Sequence, residues 1–346
     1  MKGRVIALGE YRGLEVAALM VDGRLEDLLT DGGADAPPAP GAIYRAVTDR
    51  QMKGQGGVFL RLPGGARAFL REARGLRPGE ALLVQVTGHA EPGKAVPVTQ
   101  RLLFKSRHAI VTPEAPGLNI SRRIREEDTR ARLSAIAAQA MEGSGAGLIL
   151  RSAAEWASDA DIAADIAAMR ELAERILAEE GDQPEHLLDG AGPHLLAWRD
   201  WAEPPPDEVA EGKRALADHG VLEALDALES AEVDLGGSAT MWVEPTRALV
   251  AVDVNTGGDT SPAASLKANL AAATDLPRQL RLRGLGGQVV VDFAPMPKAD
   301  RRKVEGALRA GLKADPVETA MVGWTPLGHF ELQRKRERLP LALALK

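Results

Sequence analysis

A chain of 346 residues exceeds the size at which one core stops growing, so about two to three domains are expected. Its 45% apolar and 27% charged residues exclude disorder, and no apolar run reaches about 18 residues. The opening stretch is broken by Arg4, Glu10, Arg12 and Glu15, so neither a membrane span nor a signal peptide is read and the expected location is cytoplasmic. There is no cysteine, which excludes disulfides and thiolate zinc, and the net charge of −6 hides an asymmetry: residues 151–235 hold 22 acidic against 6 basic residues, a local −16 that leaves +10 elsewhere.

In chain order, residues 4–8, 14–21 and 25–29 read as strands, with Asp22-Gly23 as a hairpin turn. The Gly, Ala and Pro tract 31–41 is a linker. Runs at 44–48, 57–62, 66–70, 81–87 and 96–103 alternate with glycine-rich turns and predict a five-stranded barrel of the oligonucleotide-binding type. In such a barrel Tyr44, Phe59 and Phe69 either stack on bases or pack in the core. Helices are predicted over 126–142 and 153–180, around a buried strand at 145–150 that ends at Arg151-Ser152. Beyond the proline tract 203–207, a helix is expected from Glu211 to about Ala231, then a strand at 233–235.

Residues 249–255 and 288–293 are apolar strands that each carry one aspartate near the end, Asp253 and Asp292. A helix over 263–283, closed by Gly284 and Gly286-Gly287, joins them into a unit with parallel strands, whose carboxyl ends are where ligands bind. Two carboxylates side by side repel unless a cation lies between them, and Mg²⁺ takes one or two carboxylates with water and phosphate. The alternative is that Asp253 caps a loop or helix while Asp292 pairs with an arginine such as Arg278 or Arg281. Basic clusters at 122–125, 278–283, 301–303 and 334–338 are either phosphate contacts or solvated helix faces.

The runs Val252-Asp253-Val254-Asn255, Gly257-Gly258-Asp259, Asn269-Leu270, residues 278–283, Leu285-Gly286-Gly287 and Val290-Val291-Asp292-Phe293 resemble the catalytic segment of the ribonuclease E and ribonuclease G family. Residues 120–124, 147–152 and 328–332 extend the resemblance over most of the chain. It implies a Mg²⁺-dependent endoribonuclease that cuts single-stranded RNA in RNA processing or decay, with Asp253 and Asp292 on the metal and Asn255 supporting the attacking water or phosphate. It implies an S1-type barrel presenting Phe59 and Phe69, and a 5′-monophosphate sensor matching Arg151 and Ser152, with Gly117 near the loop that closes it. Arg122, Arg123, Arg278 and Arg281, with Arg283, are the further candidates for RNA contact.

The fold expected is therefore α+β and multidomain. It comprises an N-terminal hairpin of a ribonuclease H-like subdomain (1–35), an S1-type oligonucleotide-binding barrel (41–105), a 5′-sensor-like region (106–184), a reduced ribonuclease H-like helical subdomain (185–230) and a C-terminal α/β, DNase I-like metal-dependent nuclease domain (231–346). The pattern departs from the family at Arg247 and Pro295, where acidic residues are expected, in a shortened loop after Asn255 and in an abbreviated middle segment. The zinc-link cysteines of larger members have no counterpart among these residues, so a homodimer stays open but not a zinc-linked one. Two competing readings are an RNA-binding or ribosome-associated module with a decayed metal site, favoured by Arg247 and Pro295, and a DNA-directed phosphodiesterase.

Overall fold

A computed structural model describes residues 3–33, 36–51, 56–71, 73, 75–91 and 93–345. The chain divides into two compact units, residues 1–35 with 207–346, and residues 36–206. The first begins with an antiparallel meander of β1 (Arg4–Tyr11), β2 (Leu14–Val21) and β3 (Arg24–Thr30). Its β2–β3 turn is Asp22-Gly23, with φ of 50° and 78°. Positive φ at both central residues is what the type I′ hairpin requires, and the Asp-Gly pair supplies it.

The second unit opens with the predicted barrel. β4 (Ile43–Gln51), β5 (Gly57–Arg61), β6 (Arg67–Arg71), β7 (Ala81–Val86) and β8 (Val96–Thr99) run in the order β4-β5-β6-β8-β7, and β4 pairs again with β7 to close the ring. Alternation drives the closure: Val58, Leu60, Ala68 and Leu70 point inward with Val84, Val86, Val96 and Val98, while Phe59 and Phe69 fall on the outer face. A second sheet, ordered β11-β12-β10-β9, combines β9 (Phe104–Lys105), β10 (Ala109–Thr112), β11 (Leu118–Ile120) and β12 (Gly147–Leu150). Against it pack α1 (Glu127–Ala140) and α2 (Asp159–Leu177), burying Leu133, Ala137, Ile162 and Ile166 with Val111, Leu148 and Leu150. The helix predicted from residue 153 starts later because Ser158 caps it, its hydroxyl accepting from the Asp161 N–H at 3.1 Å. β13 (Glu185–Leu188) then adds to β4, and α3 (Pro193–Asp200) follows.

Residues 185–230 do not form one subdomain. Residues 185–206 belong to the barrel unit, whereas β14 (Glu208–Glu211) pairs in parallel with β1 and completes the sheet β14-β1-β2-β3. The single helix expected over 211–231 is replaced by β14, α4 (Ala215–Asp218) and α5 (Val221–Leu228). Gly212 and Gly220, at φ 109° and 72°, sit in conformations a helix interior cannot contain. Leu216, Val221 and Leu225 cover the meander core of Val5, Ala7, Val16, Ala18 and Met20.

The remainder of the first unit is one six-stranded sheet, β15-β16-β17-β18-β20-β19. Its elements are β15 (Glu232–Asp234), β16 (Thr240–Pro245), β17 (Val250–Asn255), α6 (Pro262–Leu282), β18 (Gly287–Asp292), α7 (Lys298–Ala314), β19 (Thr319–Trp324) and β20 (Phe330–Arg334), before a last turn α8 (Leu341–Ala344). β17 and β18 are parallel neighbours joined by α6, as predicted. Val250, Val252, Val254, Val289 and Val291 face α6 and α7, buried with Ala272, Leu276, Leu280, Val304 and Leu308. With alternate residues committed to that core, Asp253, Asn255 and Asp292 must emerge on the opposite, exposed face.

A buried ion network ties the N-terminal meander to this sheet. Arg281 meets Glu26 at 2.8 Å, Asp27 at 3.3 Å and Asp315; Arg334 meets Asp315 at 3.0 Å; Arg338 meets Asp27 at 3.0 Å. Asp315 and Arg334 are each about 1% exposed at the side chain, so each charge depends on its partners for solvation.

Candidate functional site

Four side chains line up across the exposed face of the sheet in the first unit. Asp253 and Asp292 are direct partners in the parallel register of β17 and β18. Trp242 on β16 stands opposite Asp253 on its other side, and the imidazole Nε2 of His329, just before β20, lies 3.8 Å from an Asp292 carboxylate oxygen. Opposed cross-strand residues project from the same face, so indole, two carboxylates and imidazole form one row. Asn255 joins it: its amide Nδ2 donates to Asp253 Oδ2 at 2.6 Å and orients that carboxylate. His329 is held in turn by Thr325, whose backbone N–H donates to the His329 carbonyl at 2.8 Å and whose hydroxyl accepts from the His329 N–H at 3.1 Å.

Neither aspartate has a Lys or Arg ion-pair partner among the described residues. Asp253 caps nothing there, because α6 is capped by Ser261, whose hydroxyl accepts from the Ala264 N–H at 3.2 Å. The arginines proposed to neutralise Asp292 are engaged elsewhere. Two like charges on adjacent strands, about 4.8 Å apart at the backbone, repel. That pairing, without a Lys or Arg partner among the described residues, suits a hard divalent cation. Among the described residues no group of three or more His, Asp or Glu is placed to hold a metal by itself, so the donor set is two carboxylates, to be completed by water and phosphate oxygens.

The arginines of α6 do not take the role expected from sequence. Arg278 grips Asp275 through two nitrogens, at 2.7 and 3.0 Å, and donates to the Leu25 carbonyl at 2.6 Å. Arg281 is spent on Glu26, Asp27 and Asp315, and Arg283 on Gln279 and the Ser230 carbonyl. Burial pushes the Arg283 guanidinium down to about 10. These groups hold the fold and have no face left for phosphate. The basic run at 334–338 is likewise largely consumed, by Asp315, Glu318 and Asp27.

In the second unit the barrel presents the two predicted phenylalanines together. Phe59 and Phe69 are register partners with ring centroids 5.1 Å apart, and the Arg67 guanidinium lies 4.8 Å over the Phe59 ring. Arg61 and Arg71 point outward on the same strands. Tyr44 does not join them: its ring stacks on His186 at 4.7 Å, and burial pushes its hydroxyl up. Arg122 and Arg123 are exposed, with no side-chain partner among the described residues.

Arg151 sits beside Ser152, which starts a single turn of 3-10 helix. Its guanidinium is already held by Asp200 at 2.6 Å and by the Ser106 carbonyl at 2.8 Å, an ion pair rather than an open phosphate cup. Burial pushes the Asp200 carboxyl up, but Arg199 and Arg151 outweigh it and hold it below its ordinary value. Trp242 and His329 were not singled out from the sequence. Their signal there is an aromatic on one strand and a histidine just before another, whose pairing partners sequence does not name.

Comparison with known proteins bears on this arrangement. A family model described as "Ribonuclease E/G family" matches residues 104–210 and 206–337. Ribonuclease G of Salmonella typhimurium is 28% identical over 304 residues, and ribonuclease G of Escherichia coli (strain K12) is 29% identical over 305; each match covers 76% of this chain and 61% of the relative. Ribonuclease E of Synechocystis is 26% identical over 379 residues, covering 93% of this chain and 56% of that protein. The chain therefore spans less than two thirds of the length of these relatives.

Proposed function

Because the chain belongs to the ribonuclease E/G family, we propose that it is a divalent-metal-dependent endoribonuclease acting on single-stranded RNA in RNA processing or decay. The observation that carries this reading is the side-by-side placement of Asp253 and Asp292 on the exposed face, without a Lys or Arg partner among the described residues. These two residues would hold Mg²⁺, with Asn255 fixing the Asp253 carboxylate. A bound divalent cation polarises a phosphodiester oxygen and makes nearby water more acidic. The chain's own groups then position RNA: Trp242 offers a stacking surface beside the carboxylates, and His329 orients Asp292. On the barrel, Phe59 and Phe69 with Arg67 suit bases and backbone of an unpaired strand. Arg122 and Arg123 are free to meet phosphate.

Stimulation by a 5′-monophosphate would require that phosphate to replace Asp200 as the partner of Arg151, with Ser152 adding a hydroxyl. Comparing 5′-monophosphorylated with 5′-hydroxyl RNA tests that part alone. The main test uses a short single-stranded RNA, cleaved with Mg²⁺ or incubated with EDTA, for the wild type, Asp253→Asn and Asp292→Asn. Metal-dependent cutting that either substitution lowers at least about 100-fold is the expected result. Binding without cutting under any divalent metal identifies an RNA-binding relative instead, and equal cutting of DNA identifies a general phosphodiesterase.

A further inference from the structure

A cavity of about 420 Å³ opens beside the carboxyl ends of β17 and β18. Three hydroxyls line it, those of Thr256, Thr260 and Ser265, and its remaining walls are Pro262, Pro295, Met296 and Pro297. Ser265 is only 5% exposed, yet its hydroxyl has no hydrogen-bond partner among the described residues. A helical serine ordinarily satisfies its hydroxyl on the carbonyl one turn back. Here the Ser261 carbonyl accepts only the Ser265 backbone N–H, at 3.0 Å, and the side chain is left to the cavity. The hydroxyl is open to the cavity rather than sealed in the core, and so is available to hydrogen-bond whatever enters.

The lining specifies what enters. No charged side chain borders the cavity, and the nearby start of α6 offers little to an anion: Pro262 has no N–H and the Ala264 N–H is taken by Ser261. Proline faces and a thioether suit a flat, apolar surface, while three hydroxyls that both donate and accept suit a polar edge. A planar heterocycle has both. Thr256 directly follows Asn255, and Pro295 lies three residues after Asp292, so the cavity opens at the same strand ends that carry the paired carboxylates.

We infer that this cavity receives the nucleobase of a nucleotide flanking the scissile phosphate, with the Ser265 hydroxyl bonding its edge. The inference rests on the RNA-directed reading of the carboxylate row. In it Pro295 is one wall of a base subsite.

The test measures the affinity of single-stranded RNA in EDTA, where nothing is cut, using oligonucleotides with one abasic residue moved along the chain, and then cleavage of the same set with Mg²⁺. The wild type is expected to lose about fivefold in affinity, with KM raised and kcat unchanged, at one position next to the cut. Ser265→Ala should weaken the intact RNA about fivefold and leave the RNA abasic at that position unaffected. Ser265→Met, which fills the space, should abolish the discrimination while thermal unfolding stays cooperative. Equal weakening of intact and abasic RNA by Ser265→Ala, or no position that responds in the wild type, overturns the subsite. If the wild type binds RNA but never cuts it, the ribonuclease reading falls and the affinity ratios still judge the cavity; if it binds no RNA, both fall.

Discussion

Trp242 and Asp253 are directly opposed on neighbouring antiparallel strands, so an indole and a carboxylate share one exposed face. Trp242 is 38% exposed there, although a ring of its size would bury far more surface in a core. If the ring stacks on a base, Trp242→Ala weakens single-stranded RNA by roughly 1 kcal/mol or more, about fivefold, while Trp242→Phe retains most of the affinity. Titration of a labelled RNA checks this; equal affinity of wild type and Trp242→Ala removes the indole from the binding surface.

Phe59 and Phe69 are paired across β5 and β6 with Arg67 over one ring. Phe59→Ala and Phe69→Ala should each cost RNA binding about 1–3 kcal/mol with little change in folding stability, because both rings lie on the outer face of the barrel. If RNA lies across these rings, Arg67→Ala should lower the slope of affinity against salt concentration, since it removes the cation beside them. A large loss of thermal stability in the phenylalanine variants would mean that the rings serve packing instead.

Arg281 and Asp315 are almost fully buried and each leans on the other. Asp315→Ala removes the carboxylate that pairs with buried Arg334 and leaves Arg281 with Glu26 and Asp27, and a loss of about 3–5 kcal/mol is expected. The denaturant midpoint measures it. Arg278→Ala, at the rim of the same region, should cost stability too, with RNA affinity unchanged, and a selective loss of RNA affinity would return the helix arginines to the binding surface.

The Asp275 carboxyl is pushed up by burial, but Arg278, Gln279 and Arg24 outweigh this and hold it below its ordinary value of about 3.9. A carboxylate whose folded-state pKa is depressed binds protons more readily when unfolded. Its stabilising contribution is therefore complete above about pH 4 and disappears as pH falls through the folded value. Asp275→Asn should flatten the acid limb of stability against pH and leave the neutral region parallel to the wild type. An unchanged acid limb would show that other carboxylates govern it.

Much of the architecture was readable in the residues themselves. Asp22-Gly23 marks a hairpin, short strand-like runs between glycine-rich turns mark the five barrel strands, and two apolar runs each ending in an aspartate mark parallel strands joined by a helix, because these signals are local. Where the signal was not local, the reading diverged. The alanine- and leucine-rich stretch after Glu211 suggested one helix, but glycine conformations and pairing with β1 divided it.

Within the site, the sequence marks Asp253 and Asp292 as carboxylates at the ends of two apolar strands, where a charge needs a partner, and leaves open whether an arginine or a cation supplies it. The fate of the arginines was decided only in three dimensions. Arg278, Arg281 and Arg283 look like a phosphate-binding stripe along the chain, yet their partners Leu25, Glu26, Asp27, Ser230 and Asp315 come from distant segments. Tertiary pairing likewise placed Trp242 beside Asp253 and His329 beside Asp292, and turned the Ser265 hydroxyl toward a cavity. A charge's identity is written in the sequence, but whether it is free to act depends on which groups the fold brings within a few ångströms of it, and strand pairing and helix packing set that.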